Sequence, residues 1–138
     1  MRAVMQIFVC SVLASSLGCI AADGDSLFAR HVEGEVPANA ILLHSGIKSI
    51  GIDTSHGFVL AVEDESLLNL LIAEWELSRS DSPSAGVFDS KEHKWWPSKE
   101  ELSEIIPNYS RSDEEVEEYW IVWPDTKTGR LYVEHGWW

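Results

Sequence analysis

The sequence predicts an α+β domain: an antiparallel sheet of four to five strands built from two hairpins, with one long and one short helix packed on one face. Three observations carry this expectation. Strand-forming residues flank turn formers at 47–63 and again at 119–135. Leucines recur at helical spacing from Leu67 to Trp75. Ser98-Lys99-Glu100-Glu101 has the form of a capping box that opens a second helix.

The elements follow in chain order. Met1 to Cys19 has the layout of a secretory signal: Arg2, an uncharged apolar stretch from Ala3 to Leu17, then small residues up to Ala22. Its apolar core falls short of the roughly 20 residues that span a bilayer. The segment is therefore expected to be removed, before Cys19 or after Ala21 or Ala22, so residues 1–19 form the signal. Residues 20–39 read as a flexible lead-in without sustained period, and 40–138 as a single domain.

Within that domain, Ile41-Leu42-Leu43 is an apolar run that periodicity assigns to neither strand nor helix. Ile47 to Asp53 and Gly57 to Glu63 read as a hairpin turning at Asp53-Thr54-Ser55-His56-Gly57. Asp64 is placed to cap a helix over about residues 65–77, with Leu67, Leu68, Leu71, Ile72 and Trp75 on one stripe. Arg79 to Pro97 reads as a long polar connection. The short helix after Ser98 stops at Pro107. A second hairpin is expected from Tyr119–Trp123 and Arg130–His135 around the turn 124–129.

Composition narrows function. The 138 residues carry 23 Asp and Glu against ten Lys and Arg, a formal charge of −13. A field of this sign repels nucleic acid and anionic lipid and speeds encounter with basic partners. Much of the acid lies in Asp113-Glu114-Glu115-Val116-Glu117-Glu118. Both cysteines, Cys10 and Cys19, fall in the signal region, so no disulfide is expected in the domain.

Seven tryptophans stand out. Trp75 belongs to the helix stripe. Trp120 and Trp123, three apart on one strand, point to opposite faces, so one is expected inside and the other outside. Trp95 and Trp96 cannot both be fully buried if that segment is extended. Exposed indoles either anchor protein interfaces or stack on sugar rings. Buried ones enlarge a core that has no disulfide.

The five histidines show no His-Glu-x-x-His or His-x-His spacing, and no Gly-x-Ser-x-Gly elbow is present. Asp53-x-x-His56 and Glu134-His135 are the nearest approaches to acid–base pairs. No catalytic residue, metal site or cofactor is assigned.

Ser16-Leu17-Gly18-Cys19 resembles the lipobox of bacterial lipoproteins, with Ser16 where that family usually has Leu. The resemblance implies a lipid on Cys19 and an anchor in the cell envelope; cleavage after Ala21 or Ala22 implies a free periplasmic or secreted protein. In signal region and size the chain resembles small exported bacterial proteins. The leading expectation is an exported, non-enzymatic binding module for a basic protein, in one version an inhibitor or immunity-type protein. It meets no nucleic acid, and it meets membrane only through Cys19. Its contact residues are expected among Trp95, Trp96, Glu114, Glu115, Glu117, Glu118, Trp120, Trp123 and Trp138. The alternatives are a glycan or peptidoglycan binder using Trp95, Trp96 and Trp138, and a small hydrolase using His56 or His135 with a nearby acid.

Overall fold

The structure, a computed structural model, describes Phe28, Val32 and residues 37–138. The chain divides into two compact units, residues 1–31 and 32–138. The expected signal segment 1–19, its cleavage positions, Cys19 and most of the 20–39 lead-in lie outside the described residues.

The second unit is built on six antiparallel strands: β1 (Ala40–Ile50), β2 (Asp53–Val62), β3 (Ser78–Ser80), β4 (Asn108–Asp113), β5 (Glu118–Asp125) and β6 (Arg130–Trp137). Their order across the sheet is β1-β2-β6-β5-β4-β3. Two short helices accompany them, α1 (Ser66–Glu74) and α2 (Lys99–Ser103). The expectation of four to five strands with one long and one short helix on one face is thus corrected in strand number, helix length and layering.

Each difference has a local cause. The run Ile41-Leu42-Leu43 and the segment after it form a single strand, because a bulge between Leu42 and His44 absorbs the break in alternation. The first hairpin turns at Gly51-Ile52, between the paired Ile50 and Asp53, rather than at 53–57. Thr54, Ser55 and His56 have turn-former neighbours, yet they lie between two strands, opposite Ser49, Lys48 and Ile47 on one side and Trp137, Gly136 and His135 on the other. β3 and β4, read as Ser-Arg-Ser and Asn-Tyr-Ser-Arg-Ser-Asp, carry no apolar alternation and so gave no strand signal.

Helix α1 begins one residue later than expected: Glu65 is the N-cap without a side-chain bond, while Asp64 accepts the Ser66 N–H at 2.9 Å. It ends at Glu74 because Glu76 adopts φ 51 and the Leu77 N–H reaches back to the Ile72 carbonyl at 3.0 Å. This is a Schellman closure without glycine. Helix α2 opens on the complete capping box, with the Ser98 N–H donating to Glu101 Oε2 at 2.7 Å and the Glu101 N–H to Ser98 Oγ at 3.1 Å.

Alternation divides the sheet into two faces. Val59, Tyr132 and Trp123 stand opposite one another on β2, β6 and β5, and Phe88, Trp96 and Leu102 of segment 81–107 cover them. The adjacent residues Phe58, Val133 and Val122 line the reverse face, where α1 lies. There the Trp75 ring meets Trp120 and His135 at centroid distances of 6.3 Å. α1 and α2 therefore occupy opposite faces.

Candidate functional site

One end of the sheet gathers the features expected of a contact surface. The row Asp53, then Thr54, Trp137, Glu118 and Asp113, crosses from β2 through β6 and β5 to β4 by strand pairing. Beyond it project the β1–β2 turn, the C-terminal Trp138 and the β4–β5 turn, residues 114–117. The Trp138 N–H donates to the Glu117 carbonyl at 3.1 Å, which ties the last residue to that turn.

Apolar side chains and carboxylates alternate over this end. Ile52 is 87 % exposed and Trp138 42 %, and Ile50 and Val116 are also open. Around them stand Asp53, Glu114, Glu115 and Glu117, all exposed. The nearby cations are already engaged: Arg111 binds Glu76 at 2.8 Å and Asp113 at 3.1 Å, with its guanidinium 5.8 Å above the Trp120 ring, and Lys48 Nζ lies 3.9 Å from Asp89 Oδ2. Among the described residues Glu114, Glu115 and Glu117 take no cation, so the end presents net negative charge beside bare apolar surface.

A cavity of about 140 Å³ opens beneath the rim, lined by Ile50, Val87, Trp137 and Trp138 together with Lys48, Ser55 and Tyr119. Bonded to Ser55 and Tyr119 is Glu134, fully buried. Its Oε1 accepts the Tyr119 hydroxyl at 2.7 Å, the Val87 N–H at 2.9 Å and Ser55 Oγ–H at 3.3 Å. Burial, outweighing those hydrogen bonds, holds the Glu134 carboxyl above the usual range. Burial first and the Glu134 charge second raise the Tyr119 phenol. Two glycines make room for this arrangement. Gly86 has φ 64, and a Cβ there would stand 2.2 Å from Glu134 Oε2. A Cβ on Gly136 would fall 2.5 Å from the Tyr119 ring. The carboxylate thus fastens the loop around Val87 to the sheet and supports the ring on which Trp138 stacks, 6.0 Å away.

The expected contact residues separate into two groups. Glu114, Glu115, Glu117, Glu118 and Trp138 come together at this end, and half-buried Trp120 lies on the adjoining reverse face, stacked on His135 at 5.1 Å. Trp95, Trp96 and Trp123 do not join them. Trp96 and Trp123 are core residues packed edge to face at 6.1 Å, and the Trp123 indole N–H donates to the Ser84 carbonyl at 2.8 Å. Trp95 is half-buried and stacks on His44 at 5.2 Å. Trp95 and Trp96 border a separate cavity of about 480 Å³ that reaches the β5–β6 turn, at the far end of those strands from Trp138. Hence Trp95, Trp96 and Trp138 do not form one sugar-stacking platform.

The acid–base pairs from the sequence are also placed. Glu134 and His135 are consecutive on β6, and Asp53 and His56 are three apart on β2, so the members of each pair point to opposite faces of the sheet. Glu118 stands beside the His135 imidazole, with Oε2 3.5 Å from Nε2. Among the described residues no group of three or more His, Cys, Asp or Glu is placed to hold a metal ion. No described helix is long and apolar enough to cross a membrane.

Sequence reasoning missed the Glu134–Tyr119–Ser55 cluster and the contribution of Ile50, Ile52 and Val116. A signal for Glu134 existed: on β6 it shares a face with Tyr132, so inward parity gave the core a carboxylate. No protein-family model, curated protein or solved structure matches the chain.

Proposed function

We propose that the protein is an exported, non-enzymatic binding module that docks a basic protein surface on the acidic, tryptophan-bearing end of its sheet. The observation that carries this reading is the interleaving of exposed Ile50, Ile52, Val116 and Trp138 with Asp53, Glu114, Glu115 and Glu117. Apolar anchors supply affinity on desolvation, and the surrounding acids steer a cationic partner and set its orientation. The β4–β5 turn suits this task because its four residues, three of them glutamates, stand clear of the core. In this reading Cys19 carries the lipid that keeps the module at the envelope.

The test places a photo-crosslinking residue at Val116 or, as a control, at Thr126 on the opposite turn, in cells that make the protein. The expected result is a crosslink to one basic protein from position 116 and none from 126. With that partner in hand, Glu114→Gln, Glu115→Gln, Glu117→Gln and Glu118→Gln together slow association and flatten its salt dependence. Equal crosslinking from both positions, or an unchanged rate at low salt, overturns the proposal. Intact mass of the purified N-terminus reads the lipid on Cys19 directly.

A further inference from the structure

The sheet has two unlike edges. β3 is three residues long and bears Arg79 bonded to Asp81 at 3.1 Å, which blunts it. β1 is eleven residues long and ends the sheet on the other side. Among the described residues no strand pairs with its outer edge, which therefore offers a row of backbone donors and acceptors.

Charge marks the same strand. β2, β4, β5 and β6 each contain at least one Asp or Glu; only the three-residue β3 and the eleven-residue β1 contain none, in a chain of net charge −13. Its one charged side chain, Lys48, is only 13 % exposed and turns toward Asp89, with Nζ 3.9 Å from Oδ2. Ile47 and Ile50 are more than half exposed on this strand, at 51 % and 60 %. A basic partner finds no acid to meet here. A second copy of the chain, repelled elsewhere by like charge, meets almost none along β1.

The strand is also self-complementary. Beyond the bulge at Leu43, residues His44–Ile50 pair regularly with β2. Antiparallel pairing of two such segments about a two-fold axis at Ile47 sets Ile47 against its own copy, Ser45 against Ser49, Gly46 against Lys48 and His44 against Ile50. No like charges face each other in that register. We propose that the free edge of β1 is a homodimer interface, in which two copies join their sheets through His44–Ile50 centred on Ile47. This surface meets the acidic end only at Ile50, so the dimer leaves Ile52, Val116, Trp138 and the acids of each partner-binding end open.

Sedimentation of the full chain across the micromolar range tests it. The expected result is a concentration-dependent monomer–dimer equilibrium. Ile47→Lys places two ammonium groups opposite each other and weakens dimerisation by about tenfold or more. Ile41→Lys, exposed on the same strand but beyond the bulge, leaves it unchanged. Far-UV circular dichroism on both variants verifies that the sheet has formed. A monomer at every concentration, a dimer indifferent to Ile47→Lys, or equal loss from Ile41→Lys overturns the proposal.

Discussion

The two layers that cover the sheet are held by different physics. On one face lies α1, a regular helix whose Leu67, Leu68 and Leu71 are buried and whose contribution is apolar area. On the other lies segment 81–107, mostly irregular, held by a few large aromatic rings and by a carboxylate. Phe88 meets Trp96 at 4.9 Å and Trp96 meets Tyr132 at 5.8 Å, while Glu134 takes the Val87 N–H. A layer without repeating structure cannot satisfy its own backbone, so the sheet must offer it polar partners. The contrast teaches that lack of helix or strand is not lack of core.

Substitutions in each layer test that contrast. Trp96→Ala has the largest expected effect, a loss of about 4 kcal/mol, because it empties the centre of the irregular layer. Leu71→Ala, its counterpart in α1, is expected to cost about 3 kcal/mol. Urea unfolding reads both; a Trp96→Ala cost below about 1 kcal/mol would show segment 81–107 to be a loose flap. Tyr119→Phe comes next at about 2 kcal/mol, since it takes one donor from a buried carboxylate. Ser98→Ala breaks the capping box of α2 and is expected to lower stability by about 1 kcal/mol in the same assay.

Glu134→Gln changes the net stability least and the pH dependence most. Because burial holds the folded carboxyl above the ordinary glutamate value of 4.5, the folded state holds the proton more tightly than the unfolded chain. Its stabilising contribution is complete below that value and is lost as pH rises through the folded pKa. The wild type is therefore expected to lose stability relative to Glu134→Gln on going upward from about pH 4.5. The difference between the two proteins isolates Glu134, and a flat difference would remove burial as the dominant influence on it.

The same contrast explains what could be read from the sequence. Helix α1 was legible because Leu67, Leu68, Leu71 and Trp75 repeat with the helical period. Its end was not, because Glu76 fills the left-handed position where glycine normally marks a stop. Segment 79–97 read as a polar connection because Phe88, Trp95 and Trp96 follow no period, and only the folded sheet shows what they cover. β4 was hidden by its polar residues. At the candidate site, the acidic run and Trp138 were visible as residue types. Their meeting with Ile50 and Ile52 depended on β6 lying between β2 and β5, which no local pattern encodes.

That placement of β6 also governs timing. It is the sixth strand along the chain but the third across the sheet, with β1–β2 on one side and β5–β4–β3 on the other. Before Arg130–Trp137 leaves the ribosome, β2 and β5 have no strand to join them, and the two groups are unconnected ribbons. The sheet can therefore close only once Arg130–Trp137 is available. A chain wired in this order completes its sheet only when the eight-residue β6 takes its place.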